Sequence, residues 1–196
     1  MSQDPRTAIL TAAGEVFARF GFKKASVEDI ARRAGVGKGS IYLHFESKEA
    51  LFEACVQMAH AGSLSELKAR VRRASTSEGQ VRAYIQCKLE QQSRKPLGER
   101  IELSTLLELG VQAAQFIPRM VEDDVAVLAH ILEEGVAQGT FSVPEPQHVA
   151  RGLVTLIMQL AVKLMPEEQE PALKQSVDSF FEVFIRGLLA PPRPSS

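Results

Sequence analysis

Apolar residues recur at steps of three and four along almost the whole chain, and no stretch alternates apolar with polar between turn signals. That period belongs to helices with one buried face, so the chain is expected to be all-α. Ile9, Ala13, Val16, Phe17 and Phe20 mark a first helix, opened by Asp4 as N-cap and Pro5 at its first position and stopped at Gly21. Ser26-Val-Glu-Asp29 has the form of a capping box and starts a second helix, Val27 to about Ala34, closed by Gly35. A short third helix spans Lys38 to His44, and a fourth runs from Lys48 to Arg73 with Gly62 as its weak point.

The later breakers divide the remainder in the same way. A fifth helix begins at Ser75–Ser77 and ends in the cluster Ser93–Gly98. A sixth runs from Glu99 to about Ala114, and a seventh from Pro118 to about Gln138, closed by Gly139. Val149, Leu153, Ile157, Ala161 and Leu164 mark an eighth, broken at Pro166; Leu173, Val177, Phe180, Phe181, Phe184 and Leu188 mark a ninth, ending before Pro191. The expected architecture is thus a three-helix head over residues 1–48 joined to a helical bundle over 49–190, about nine helices in all, with a disordered tail at 191–196.

Charge follows the same division. Residues 1–48 carry eight basic and five acidic side chains, whereas from Ile101 onward six basic face thirteen acidic, although the whole chain is close to neutral at −1. A basic head on an acidic body suits a polyanion partner for the head alone. Gly152 to Val162 falls short of the roughly 18 apolar residues that a membrane span needs. Residues 1–6 lack the basic-then-apolar layout of a signal peptide, and two cysteines make no disulfide framework, so a reduced, cytoplasmic protein is expected.

The function is carried between Ser26 and Phe45, where two short helices are joined by a glycine turn in the outline of a helix-turn-helix. Ile30, Ala31, Ala34, Val36 and Ile41 supply a miniature core, with Phe17 and Phe20 to cover it. Ile41 and Phe45 turn inward on the third helix, which leaves Lys38, Gly39, Ser40, Tyr42 and His44 to reach phosphates or base edges. Gly37 and Gly39 remove side chains that would hold the backbone away from DNA. Lys48 can meet a phosphate as a cation, and Ser26 as a helix N-cap.

The run AGVGKGSIYLHFESKEALF, preceded by SVEDIA and by a helix ending in FGF, resembles the N-terminal domain of TetR-family regulators. By that resemblance Ser26, Lys38, Ser40, Tyr42, His44 and Lys48 are the DNA-contacting positions, Lys38 and Ser40 reading bases and Tyr42, His44 and Lys48 mainly anchoring phosphates. Many members of that family have serine where Gly37 stands here, so the third helix lacks a side-chain cap and its phosphate contact must come from the backbone. The resemblance also implies a homodimer formed through the last two helices, a palindromic operator, and release of that operator when a small molecule enters the bundle.

Two further sites are expected. Phe180, Phe181 and Phe184 beside Leu188 and Leu189 form a stripe broader than one neighbour covers, which core packing or a second chain could bury; the resemblance makes it, with Ile157, Leu164 and Val177, the expected dimer interface. Gln112, Phe116, Met120, His130 and Met158 are pocket candidates, although surface and core positions explain them equally well.

Other chemistries find little support. The four histidines show no ligand spacing, so no metal and no cofactor are expected. Cys55 and Cys87 have no paired base and are expected to be inert. Gly35-x-Gly37-x-Gly39 lacks the preceding strand of a nucleotide-binding turn, which argues against an enzyme. A helical adaptor that binds only protein would explain the aromatic stripe but leave the donors of the third helix idle.

Overall fold

A computed structural model of the chain describes residues 4–93, 102–163 and 171–191. Among these residues the architecture is all-α, with a single isolated bridge between Phe141 and Leu189. The helices are α1 (Pro5–Lys24), α2 (Val27–Ala34), α3 (Lys38–His44), α4 (Lys48–Arg73), α5 (Ser77–Ser93), α6 (Leu103–Ala113), α7 (Ile117–Ala137), α8 (Pro146–Lys163) and α9 (Pro171–Leu188), with a 3-10 turn at Ala114–Phe116 before α7. The expected start at Glu99, the break at Pro166, Leu164 and the tail beyond Pro191 lie outside the described residues.

Gly21 breaks α1 where the sequence expects a stop, at φ 78°, ψ 168°, backbone that is essentially reserved for glycine, and a short turn follows it to Lys24. The consequence is a change of aromatic partner. Phe20 is 44% exposed, and Phe22 takes the covering role expected of it: its ring lies 5.8 Å from Phe17, and both rings meet Phe52 edge-on at 5.2 Å. Each such buried ring contributes roughly 1.5–3 kcal/mol.

The chain forms two compact units, Met1–Gly62 with Lys95–Pro118, and Ser63–Arg94 with Arg119–Ser196. The core of the first draws on α4 and α6 as well as on the three helices of the expected head. Ile9, Ala13, Val16 and Phe17 of α1 pack with Ile30 and Ala31 of α2, Ile41 of α3, and Leu51, Phe52 and Cys55 of α4. Leu109 and Ala113 of α6, with Phe116, pack half-buried against that cluster.

The second unit gathers Leu67 and Val71 of α4, Val81, Tyr84 and Ile85 of α5, and Leu128, Ile131 and Leu132 of α7 around Leu153, Val154 and Ile157 of α8 and Phe181, Ile185 and Leu188 of α9. A buried ion pair is embedded beside this core. Lys88 Nζ lies 2.6 Å from the Asp124 carboxylate, and the Tyr84 hydroxyl donates to the Asp124 carbonyl at 3.4 Å. The loop after α7 is tied to the end of α9: the Ser142 N–H donates to the Leu188 carbonyl and the Ala190 N–H to that of Thr140. No helix among the described residues is long and apolar enough to cross a membrane.

Candidate nucleic-acid interface

The turn between α2 and α3 begins with Gly35 at φ 69°, ψ 28°, left-handed backbone that reverses the chain at the end of α2. Val36 closes the turn by donating its N–H to the Ala31 carbonyl at 3.0 Å. Gly37 then caps α3 without a side-chain bond, as its missing hydroxyl implies; the Ser40 N–H instead donates to the Gly37 carbonyl at 2.9 Å. Ile41 and Phe45 are buried and pin α3 to the first unit. The opposite face therefore carries Lys38, Gly39, Tyr42, Leu43 and His44 into solvent, with Ser40 half-buried at its edge.

Leu43 was not singled out from the sequence, yet at 85% it is the most exposed of the large apolar side chains of the described residues. The signal was available in the period: once Ile41 and Phe45 point inward, the residue between Tyr42 and His44 must point out. An exposed leucine on such a face offers apolar contact to a thymine methyl group.

Three cations of this unit are already engaged by carboxylates. Lys38 pairs with Glu28 of α2, which raises the ammonium pKa and lowers that of the carboxyl, chiefly through their hydrogen bond. The same ammonium lies 6.0 Å from the centre of the Tyr42 ring. Arg32 pairs with Asp29, and Arg33 with Glu15 of α1. These pairs are solvent-exposed, so phosphate can compete for each cation at little cost.

Two assignments gain a structural component. Lys48 Nζ donates to the carbonyls of Phe22 at 2.9 Å and Ala25 at 3.2 Å and sits 4.5 Å from the centre of the Phe22 ring. An ammonium has three donors, so one remains for an outside acceptor. Ser26 Oγ accepts the Asp29 N–H at 3.1 Å and donates to the Asp29 carboxylate at 2.6 Å. The carboxylate of the expected capping box thus accepts from the serine hydroxyl, and a phosphate would compete with it for that proton.

The pocket candidates occupy different surroundings. Gln112 is half-buried and Phe116 packs on the core of the first unit; Met120 is half-buried, and Met158 packs on the core of the second. His130 is corrected: its side chain is 70% exposed, 3.5 Å from Glu134 on the same helix, because Leu128, Ile131 and Leu132 take the inward face of α7.

The expected interface stripe divides in the same manner. Ile157, Phe181 and Leu188 are buried in their own unit, and Val177 and Phe184 are half-buried against it. Phe180 stays 49% exposed, and Leu156 and Val183 are exposed with it. Leu156, Leu160, Ser176, Val177 and Phe180 line a groove of about 230 Å³ between α8 and α9.

Burial pushes the Cys55 thiol up to about 12, and its Sγ faces the Leu10 carbonyl at 3.6 Å; the Cys87 thiol is also raised by burial. Neither is a thiolate at neutral pH. Among the described residues no group of three histidine, cysteine or acidic side chains is placed to hold a metal ion.

Residues 9–55 match the family model described as bacterial regulatory proteins, tetR family. The HTH-type transcriptional regulator RutR of Escherichia coli is 30% identical over 74% of this chain and 68% of its own length. The uncharacterized HTH-type transcriptional regulator YhgD of Bacillus subtilis is 28% identical over 97% of this chain and its full length. Among solved structures, a TetR-family transcriptional regulator of Pectobacterium atrosepticum superposes with a TM-score of 0.73 at 23% identity, covering 96% of this chain and 95% of that one. FadR of Bacillus subtilis, solved in complex with stearoyl-CoA, superposes at 0.64 with 20% identity, covering 93% and 98%.

Proposed function

The chain belongs to the TetR family of DNA-binding transcriptional regulators, and from that premise we propose that it is a cytoplasmic repressor that binds a palindromic operator as a homodimer and is released by a small-molecule effector. The observation that carries the DNA reading is the division of α3 into a pinned face, Ile41 and Phe45, and a free face of Lys38, Gly39, Tyr42, Leu43 and His44. A helix so held can enter the major groove and bring several donors to one set of base edges. Residues 1–48 are the reading head in this proposal, with Lys38 and Ser40 reading bases and Tyr42, His44 and the remaining N–H of Lys48 anchoring phosphates.

Residues 49–190 then serve as the effector and dimerisation domain. The exposed apolar residues Leu156, Phe180 and Val183 on α8 and α9 support a partner helix pair there. A two-fold dimer would set the heads on half-sites about one helical turn of DNA, or a multiple of it, apart. That a protein of the same fold holds an acyl-CoA supports a small-molecule effector without naming the one used here.

The test is selection of random duplex DNA on the purified protein, with sequencing of the bound pool and light scattering for the oligomeric state. Enrichment of a palindrome by a dimer is the expected result. A folded protein that enriches no motif would overturn the operator reading, and a monomer that binds single half-sites would overturn the dimer.

A further inference from the structure

The peptide group between Phe22 and Lys23 is held from both sides. Its carbonyl accepts a hydrogen bond from Lys48 of α4 at 2.9 Å, and its N–H donates to the Glu108 carboxylate of α6 at 2.6 Å. A trans peptide carries these two groups on opposite sides, so ammonium, peptide and carboxylate form one continuous chain. Each charge polarises the group that the other holds, and the two bonds strengthen one another.

The surrounding sequence accommodates the arrangement. A Cβ at Gly21 would stand 3.0 Å from the second carboxylate oxygen of Glu108, so glycine there provides both the backbone at φ 78° and the space for the carboxylate. Lys48 also holds the Ala25 carbonyl, one residue before the Ser26 cap of α2. Leu109 and Ala113 seat α6 on the same core as α1 and α2. A displacement of Glu108 would therefore reach Lys48 and the start of α2 through one peptide group.

We propose that Glu108 is a positioning residue for DNA recognition: through the Phe22–Lys23 peptide it fixes where the Lys48 ammonium sits and how α1 hands over to α2. Glu108 touches no DNA in this role. The proposal deepens the DNA reading above and rests on it.

The experiment uses the full-length protein and the duplex selected by the wild type, at a temperature where circular dichroism shows every variant folded. Glu108→Ala is expected to weaken binding about tenfold, equivalent to about 1.4 kcal/mol. Glu108→Gln keeps an oxygen that accepts the Lys23 N–H and is expected to stay within about threefold of wild type. Glu108→Asp keeps the charge but withdraws the acceptor by one methylene, and should resemble Glu108→Ala. Hydrogen exchange read at the Lys23 amide gives a measure independent of DNA: protected in wild type and Glu108→Gln, about tenfold faster in Glu108→Ala.

Folded Glu108→Ala protein that binds as tightly as wild type would overturn the proposal, as would Glu108→Gln binding as weakly as Glu108→Ala. Equal exchange at Lys23 in wild type and Glu108→Ala would overturn it whatever the DNA result. A wild-type protein that selects no duplex would instead remove the DNA reading, and the positioning role with it.

Discussion

Gly35 and Gly39 lie four residues apart in the reading turn, and the same substitution should move them in opposite directions. At Gly35 no heavy atom stands within 4 Å of an added Cβ, so Gly35→Ala meets no clash and its cost is purely conformational. Left-handed backbone at φ 69° disfavours alanine by about 1–2 kcal/mol, offset by about 0.4–1 kcal/mol from the reduced freedom of the unfolded chain. The net loss is about 1 kcal/mol, or a melting temperature lower by about 2–4 °C. Gly35→Asn, which tolerates this conformation, should recover most of it. Gly39 is equally open but lies inside α3, so Gly39→Ala gains about 0.5–1 kcal/mol of helix propensity. Its methyl group would nevertheless stand on the face offered to DNA. Urea titration followed by circular dichroism, paired with fluorescence anisotropy on the selected duplex, separates the two effects. Gly35→Ala should lose stability and affinity together, and Gly39→Ala should gain stability while losing affinity. Undiminished stability in Gly35→Ala would refute the left-handed turn, and undiminished affinity in Gly39→Ala would remove Gly39 from the DNA face.

Lys48→Ala should weaken binding to selected and unrelated duplexes alike, while Lys38→Ala changes the enriched sequence; the same Lys48 variant should lose about 1–3 kcal/mol of stability, because two carbonyls lose a charged donor. Raising salt from about 50 to 200 mM should weaken operator binding by about a thousandfold or more in anisotropy titrations, and a change below about tenfold would count against phosphate anchoring. Asp124→Ala should cost about 3–5 kcal/mol in urea titrations by leaving Lys88 buried without its partner, and replacing both residues by apolar ones should restore most of that loss. The folded Cys55 thiol, raised from 9.0 to about 12, holds its proton more tightly than the unfolded one; the linked stability is complete below about pH 9 and declines as pH rises toward 12. Alkylation of Cys55 at pH 8 should accordingly be slow in native protein and fast in urea.

Much of the reading head was legible because it is built from local signals. Caps, turn glycines and a three-to-four period fix α2 and α3 within a few residues of one another, and the structure gives α3 the limits Lys38–His44 that the sequence predicts. What escaped the sequence depends on contacts between distant residues. The exchange of Phe20 for Phe22 follows from the unusual backbone at Gly21, which no helical period describes. The role of Glu108 arises 85 residues from the peptide that it holds. Lys48 reads as a surface cation in sequence, and only the fold shows that two of its three protons are already committed.

The C-terminal helices set a different problem, since periodicity there was plain but ambiguous. α9 carries one apolar series through Phe181, Ile185 and Leu188 and another through Phe180 and Val183, so either could have been its inward face. Burial assigns the first series to the core of the unit and leaves the second exposed, with Leu156 of α8 beside it. Water tolerates scattered apolar side chains on a surface, but Phe180 at 49% exposure and Val183 at 72% stand one turn apart on one helix, next to an apolar groove. A helix that is apolar on two faces is best satisfied by two neighbours. Its own chain supplies one, and the same two helices of a second copy, related by a two-fold axis, would supply the other without any new surface. Phe180→Glu with Val183→Glu puts that argument at risk: both positions are already exposed, so the monomer should fold, and light scattering should find it no longer paired. A dimer that survived both charges would place the interface elsewhere and leave this face unexplained.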